Sequence, residues 1–434
     1  MNLETVPASA TPGDAPAPTS TLSGFPKILR NRLYASMQNL QASRLTIEDA
    51  LGTQVLGEVA ASPEQTLHAR LRVNDPTFYV QTALNGSVGA GEAYMDGQWD
   101  CDDLVALIRM LVRNRDRLDA METGTARIGG MAMKLWHALA RNTRAGSRKN
   151  IAAHYDLGND LFALFLDRNL MYSSALYTSE SDTLDVAATR KLDRICQKLA
   201  LGANDHVVEI GTGWGGFALY AASHYGCRVT TTTISQEQFD LARERIAAAG
   251  LSDRVSVLLE DYRELKGRFD RVVSIEMIEA IGHQYLDTYF RKVGNLLHDN
   301  GAALIQAITI EDHRYVKALK AVDFIKRHIF PGSFIPSISV MLASVARSSD
   351  LKLYNLEDIG SSYALTLQAW RERFLEKRAE VLALGYPERF IRMFEFYFAY
   401  CEGGFRERSI GVVQMLLTRP RSTLAQFTPG VDAK

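Results

Sequence analysis

The chain has 434 residues, 47% of them apolar, with 49 Lys plus Arg against 50 Asp plus Glu and a net charge of -1. That length and apolar fraction suit two or three globular domains with a large core, and the balanced charge excludes nucleic-acid binding driven by a global basic field. Cys101, Cys196, Cys227 and Cys401 are scattered without C-x-x-C or metal-ligand spacing, so the sequence predicts no disulfide framework, no metal and a reducing, cytoplasmic setting.

Residues 1–23 are rich in Ala, Pro, Thr and Ser, hold no apolar run long enough for a signal peptide, and read as a disordered tail. From 24 to 114 the elements are short: Leu45-Thr46-Ile47, Leu67 to Val73 and Phe78-Tyr79-Val80 read as strands and Leu104 to Val112 as a helix. This is the pattern of a small α+β domain. Residues 115–150 read as a linker. Its amphipathic stretch Met131 to Leu139, followed by Arg141, Arg144, Arg148 and Lys149, suits either an anionic bilayer surface or packing on its own domain. No segment reaches the roughly 18 uninterrupted apolar residues of a membrane span, so any bilayer contact is expected to be peripheral.

Residues 151–434 form the second expected domain. From about Leu199 strands and helices alternate as a parallel sheet requires. The strand at Val207 to Ile210 runs into Gly211, Gly213, Gly215 and Gly216, a turn where a nucleoside cofactor lies against backbone. Gly211, Gly213 and Gly216 satisfy G-x-G-x-x-G, so the motif alone leaves NAD, FAD and S-adenosylmethionine open. The next strand, Arg228 to Ser235, lacks the acid that a dinucleotide's ribose requires, whereas Glu209 suits an ammonium group such as that of a methionine moiety. Ser235 and Gln238 make a capping box for a helix that Gly250 ends. Strands follow at Val255 to Leu259, Phe269 to Ile275, Ala302 to Ile308 and Val412 to Leu417, with a helix from Gln284 to Leu297. Their carboxyl ends gather Glu209 to Gly216, Thr233, Asp261, Glu276 to Glu279 and Gln306 around one crevice. An insertion from Tyr315 to Phe405 is crowded with aromatics that serve either a core or a substrate channel.

Several segments carry a resemblance. They are His154 to Phe162, Met171-Tyr172-Ser173, Glu209 to Gly216, Thr233-Ile234-Ser235 with Gln238, Asp261-Tyr262-Arg263, Ser274 to Glu279, Ile329 to Gly332, Tyr363, Trp370 to Phe374 and Gly404-Phe405. With them the chain, from about 148 to 420, resembles the cyclopropane fatty acid synthase family of S-adenosylmethionine-dependent enzymes. The stretch Gly91 to Gly97 resembles the smaller lipid-contacting domain of the members that act on phospholipids. The resemblance implies an α/β class I methyltransferase fold, Rossmann-like, with a mostly parallel seven-stranded sheet and the aromatic-rich insertion, behind a small N-terminal α+β domain. It also implies methyl transfer from S-adenosylmethionine to the cis double bond of an unsaturated phospholipid acyl chain, met peripherally at the inner face of a membrane; a homodimer is left open. By the same likeness Tyr172, Ser173, Glu209, Gly211, Gly213, Gly215, Thr233, Gln238, Asp261 and Tyr262 hold the cofactor.

Ring closure in this family uses a bicarbonate ion held by Cys, Glu, His, Tyr and a backbone contact. Glu279, Tyr363 and Ile308 match that set, but Ser174 stands at the Cys position and Gln306 at the His position. Both replacements donate hydrogen bonds, and neither carries positive charge to support an anion. The resemblance implies a cyclopropane product; a base absent or displaced because of the two replacements would give a methyl-branched or methylene chain instead, which is the alternative. A non-catalytic lipid-binding relative and a small-molecule methyltransferase are more remote readings.

Overall fold

The structure, a computed structural model, describes residues 24–121 and 157–425. The expected tail at 1–23, the amphipathic stretch Met131 to Leu139 and His154-Tyr155-Asp156 lie outside the described residues.

The N-terminal unit comprises α1 (Phe25–Met37), β1 (Ser43–Asp49), β2 (Gly52–Leu56), β3 (Leu67–Val73), α2 (Thr77–Met95), β4 (Trp99–Cys101), α3 (Leu104–Arg113) and α4 (Arg115–Met121). Its sheet has the order β2-β1-β3-β4. In β3 the alternation is plain, with Ala69, Leu71 and Val73 buried and Arg70 and Arg72 exposed. Phe78-Tyr79-Val80 is not a strand as expected but the first turn of α2. Asp75 Oδ1 accepts the Thr77 backbone N–H at 2.8 Å beside Pro76, a helix start that outweighs the β propensity of the residues after it. Phe78 and Tyr79 are both buried there, against Trp99 and Tyr34.

The second unit comprises α5 (Asn159–Phe165), α6 (Leu184–Lys198), β5 (His206–Ile210), α7 (Gly216–Tyr225), β6 (Arg228–Thr233), α8 (Gln236–Ala248), β7 (Val255–Leu259), β8 (Phe269–Ile275), α9 (Leu286–Leu296) and β9 (Leu297–Ile310). It continues with α10 (Tyr315–Lys320), α11 (Ile338–Ser348), β10 (Lys352–Asp358), α12 (Gly360–Glu376), α13 (Arg378–Ala383), α14 (Glu388–Arg406) and β11 (Ile410–Thr418). The seven strands lie in the order β10-β11-β9-β8-β5-β6-β7. β5 to β9 are mutually parallel, β11 runs antiparallel to β9, and β10 antiparallel to β11. The protein is thus α/β with a mostly parallel sheet. Helices α6 and α7 cover one face through Leu192, Ile195, Phe217 and Ala221; α9 and α11 cover the other through Tyr289, Phe290, Met341 and Val345. The chain winds outward from β5 to β7 and returns to β8 on the far side of β5, so the crevice lies between the carboxyl ends of β5 and β8.

The stretch from Tyr315 to Phe405 is not wholly an insertion, because β10 lies within it and forms the sheet's edge. Its aromatics divide between the two roles considered for them. Trp370, Phe374, Phe394 and Phe398 pack around Phe165 in a buried cluster, whereas Phe330, Phe334, Tyr363, Tyr397, Tyr400 and Phe405 line a cavity.

Helix α14 joins the two units. Arg392 donates to Tyr94 O, to Trp99 O at 2.8 Å and to Asp100 at 2.9 Å; Glu395 accepts from Tyr94 at 2.9 Å; and Phe396 packs on Trp99. One turn from the helix end, Gly403 lets α3 approach so closely that a Cβ there would stand 2.6 Å from Ile108 Cγ2. Gly403→Leu is therefore expected to cost about 1–3 kcal/mol through overpacking. Urea unfolding would measure this, and an unchanged midpoint would show that the two helices separate freely.

Candidate active site

β5 carries Glu209 to the rim of the sheet, and the chain leaves through Gly211 (φ 94°) and Gly213 (φ 50°), with Gly215 (φ 82°) capping α7. These left-handed conformations carry no steric cost only for glycine. The Gly211 and Thr212 N–H groups donate to Thr232 O at 3.1 and 2.9 Å, which fixes the turn over the end of β6. Gly213 lines the cavity, and a Cβ on it would meet nothing within 4 Å.

The cavity, about 340 Å³, occupies the crevice between β5 and β8. Of the residues expected at the cofactor, Tyr172, Ser173, Glu209, Gly211, Gly213, Thr233, Gln238, Asp261 and Tyr262 line it, and Gly215 does not. Tyr172 hydrogen-bonds Tyr397 at 3.1 Å, and Arg263 grips Asp261 through contacts of 2.9 and 2.6 Å. Only half of the expected capping box forms. The Ser235 hydroxyl accepts Gln238 N–H at 3.3 Å, while the Gln238 side chain turns away to take the Thr233 hydroxyl at 2.8 Å. Asn159, at the start of α5, accepts the Trp214 indole N–H at 2.7 Å.

Of the residues expected at the chemistry, Glu279, Ile308 and Tyr363 line the cavity, while Ser174 and Gln306 lie behind it. The Ser174 hydroxyl donates to Ala175 O at 3.0 Å, and Gln306 Oε1 accepts from Gln414 at 3.0 Å. What faces the cavity in front of them is Glu276, which the sequence placed in the crevice without a role. Ser174 N donates to Glu276 Oε1 at 2.9 Å, Gln306 Nε2 donates to the same oxygen at 2.8 Å, and the Tyr363 hydroxyl hydrogen-bonds the same side chain. Ile308 N donates to Glu279 Oε1 at 2.5 Å, and the buried Glu279 Oε2 has no hydrogen-bond partner. Burial, then the neighbouring Glu276, pushes the Glu279 carboxyl up to about 8, and burial also raises Glu276.

Sequence reasoning also missed Lys191, fully buried on α6, whose Nζ donates to Ser173 Oγ at 2.8 Å. Burial lowers its ammonium to about 8 against the opposing pull of Glu276, Asp167 and Glu209. A lysine on the inner face of a helix beside acidic strand ends was the available signal. Glu209, bonded by Thr231 at 2.6 Å, is pushed up to about 8 by the same burial. A cationic group arriving beside Glu209 favours its charged form, so binding releases a proton. S-adenosylmethionine is therefore expected to bind more tightly as pH rises from about 6 to 8. Loss of the Lys191 proton over the same range acts in the same direction. Calorimetry in buffers of different ionisation enthalpy would detect the released proton; uptake, or no exchange, would contradict the assignment.

The lining fits S-adenosylmethionine. Glu209 is an acceptor for an ammonium group, Gly213 gives backbone access, and Thr212 Oγ1 and Tyr262 OH are buried without a hydrogen-bond partner. It does not fit bicarbonate. Of the donors expected for that ion, the Ser174 hydroxyl is spent on Ala175 O, while Gln306 Nε2, the Tyr363 hydroxyl and Ile308 N are already engaged by a Glu276 or Glu279 carboxyl, and an added anion would face both.

A doubly wound sheet with this glycine turn and acidic strand end defines a class I S-adenosylmethionine-dependent methyltransferase. Residues 142–415 match the family described as mycolic acid cyclopropane synthetase, and the chain belongs to that family. It is 35% identical to the tuberculostearic acid methyltransferase UfaA1 of Mycobacterium tuberculosis, over 94% of this chain and 95% of that protein. It is 37% identical to the cyclopropane-fatty-acyl-phospholipid synthase of Escherichia coli K12, over 85% of this chain and 93% of that one. Among solved structures, the cyclopropane synthase MmaA2 of Mycobacterium tuberculosis superposes with a TM-score of 0.59 at 28% identity, over 62% of this chain and 98% of its own. The mycolic acid cyclopropane synthase CmaA1, complexed with SAH and CTAB, gives 0.58 at 28% identity with the same coverage.

Proposed function

We propose that the protein methylates the cis double bond of an unsaturated phospholipid acyl chain and closes the product to a cyclopropane. The observation that carries this reading is the pairing, in one cavity, of an apolar aromatic wall with two buried carboxyl groups, Glu276 and Glu279. S-adenosylmethionine supplies a methyl group on a cationic sulfur, which a weakly nucleophilic alkene attacks only when both are aligned and dry. Phe330, Phe334, Leu367 and Phe405 exclude water around the chain, and Tyr363 and Tyr397, which also line the cavity, are the aromatic groups available to stabilise positive charge left on it. On this reading the acyl chain lies at a bilayer surface, which the protein meets peripherally; no helix among the described residues is long and apolar enough to cross a membrane.

A second reading, methyl transfer ending in a methylene or methyl-branched chain, is favoured by the similarity to UfaA1 along nearly the whole chain. Trideuterated S-adenosylmethionine with vesicles of cis-monounsaturated phospholipid tests both. A product carrying two deuteriums that resists mild hydrogenation is a ring. One that takes up two hydrogens is an alkene, methylene if it holds two deuteriums and branched if it holds three. Vesicle binding without transfer would favour the lipid-carrier reading.

A further inference from the structure

Glu276 is the one acid among the described residues with a left-handed backbone. It has φ 50°, a left-handed conformation that a residue with a side chain adopts only when its surroundings enforce it. Here the backbone is tied at Glu276 N to Gln306 O at 2.8 Å, and three donors converge on the side chain from separate parts of the chain. Ser174 lies before α6, Gln306 on β9 and Tyr363 on α12. A left-handed residue directly after β8 aims its carboxylate into the cavity instead of along the strand, and Glu276 lines that cavity while Ser174 and Gln306 do not. The arrangement is a built oxyanion site whose anion belongs to the protein.

On the reading that an acyl double bond is methylated, we infer that the Glu276 carboxylate is the built-in base that takes the proton at ring closure, in place of any dissolved anion. The alkene electron pair forms the bond to the incoming methyl carbon as the carbon–sulfur bond breaks with its electrons leaving on sulfur, and a neighbouring chain carbon becomes cationic. One C–H bond of the new methyl group then breaks. Its electron pair closes the ring on the cationic carbon, and the proton goes to Glu276. Within the acidic pair the roles separate: Glu276 takes three donors and feels Lys191, so it carries the charge. Glu279, with backbone donors only, an orphaned oxygen and Glu276 beside it, holds a proton. Of the other carboxyls close to Lys191, Glu209 is held by Thr231 and Asp167 by the Asn169 and Met171 N–H groups.

The test uses the full-length protein and two variants. Wild-type turnover is expected to be the same in carbonate-free buffer as in buffer with added bicarbonate. Glu276→Gln, which keeps the shape, is expected to lose roughly 10²–10⁴-fold in turnover while its S-adenosylmethionine affinity, read by calorimetry, stays put. Glu276→Gly relieves the left-handed strain and so folds; it exposes the donors, and bicarbonate or formate is expected to restore its turnover. Carbonate dependence of the wild type, or full activity of Glu276→Gln, overturns the inference. A separate arm needs no lipid: ¹³C-bicarbonate titrated by NMR is expected to bind Glu276→Gly and not the wild type. If the wild type methylates no acyl chain, the proposed substrate fails, and this arm still decides whether Glu276 fills the anion site; bicarbonate binding to the wild type would show that it does not.

Discussion

Gly213→Val is expected to abolish cofactor binding and leave the fold standing. The left-handed backbone there costs a branched residue about 1–2 kcal/mol, which a domain with a large core survives. The added side chain would stand in open space on a turn that lines the cavity, since nothing lies within 4 Å of the missing Cβ. S-adenosylmethionine should bind on the order of 100-fold more weakly, equivalent to about 2.8 kcal/mol, with methyl transfer lost. Calorimetry beside a thermal melt separates the two effects. Wild-type affinity in a folded variant would place the cofactor elsewhere.

Trp370→Ala is expected to be the most destabilising single change, by about 3–5 kcal/mol. The indole is fully buried and touches Phe165, Tyr172, Tyr363 and Phe398, with ring centroids 5.2 to 6.3 Å apart. Two of those neighbours, Tyr172 and Tyr363, line the cavity. The hole therefore loosens the site as well as the core, and turnover should fall even at temperatures where the variant stays folded. Denaturant unfolding gives the first effect and single-turnover kinetics the second. A variant as stable as the wild type would mean that the cluster is loosely packed.

The sheet was legible because its central strands are buried on both sides and read as apolar runs, and because the glycines of the 211–216 turn have no alternative use. β10 was not legible: its pairing register shifts between Leu353 and Asn355, and the irregularity destroys the alternation that marks an edge strand. Phe78-Tyr79-Val80 has strand propensity, and the Asp-Pro start in front of it decides for the helix. At the site, residues that touch the cavity from a strand end or the turn just after it, such as Glu209, Asp261 and Glu279, followed from position in the winding. The place of Glu276 followed in the same way but its role did not, because that role depends on a left-handed backbone and on partners 30 and 102 residues away in sequence. The nearest signal was two glutamates three apart directly after a buried strand. Ser174 and Gln306 were assigned by likeness to a set whose acceptor, in this chain, is a side chain.

Helix α14 has a mechanical consequence. Arg392, Glu395, Phe396 and Gly403 form a stripe against the N-terminal unit, while Tyr397, Cys401 and Phe405, four apart on another face, form part of the cavity wall. One rod is thus shared by the two units, and tilting it by either end displaces the other set of side chains. Linkage then makes the traffic two-way: if seating the N-terminal unit on a surface favours a filled cavity, filling the cavity tightens the hold on that surface by the same factor.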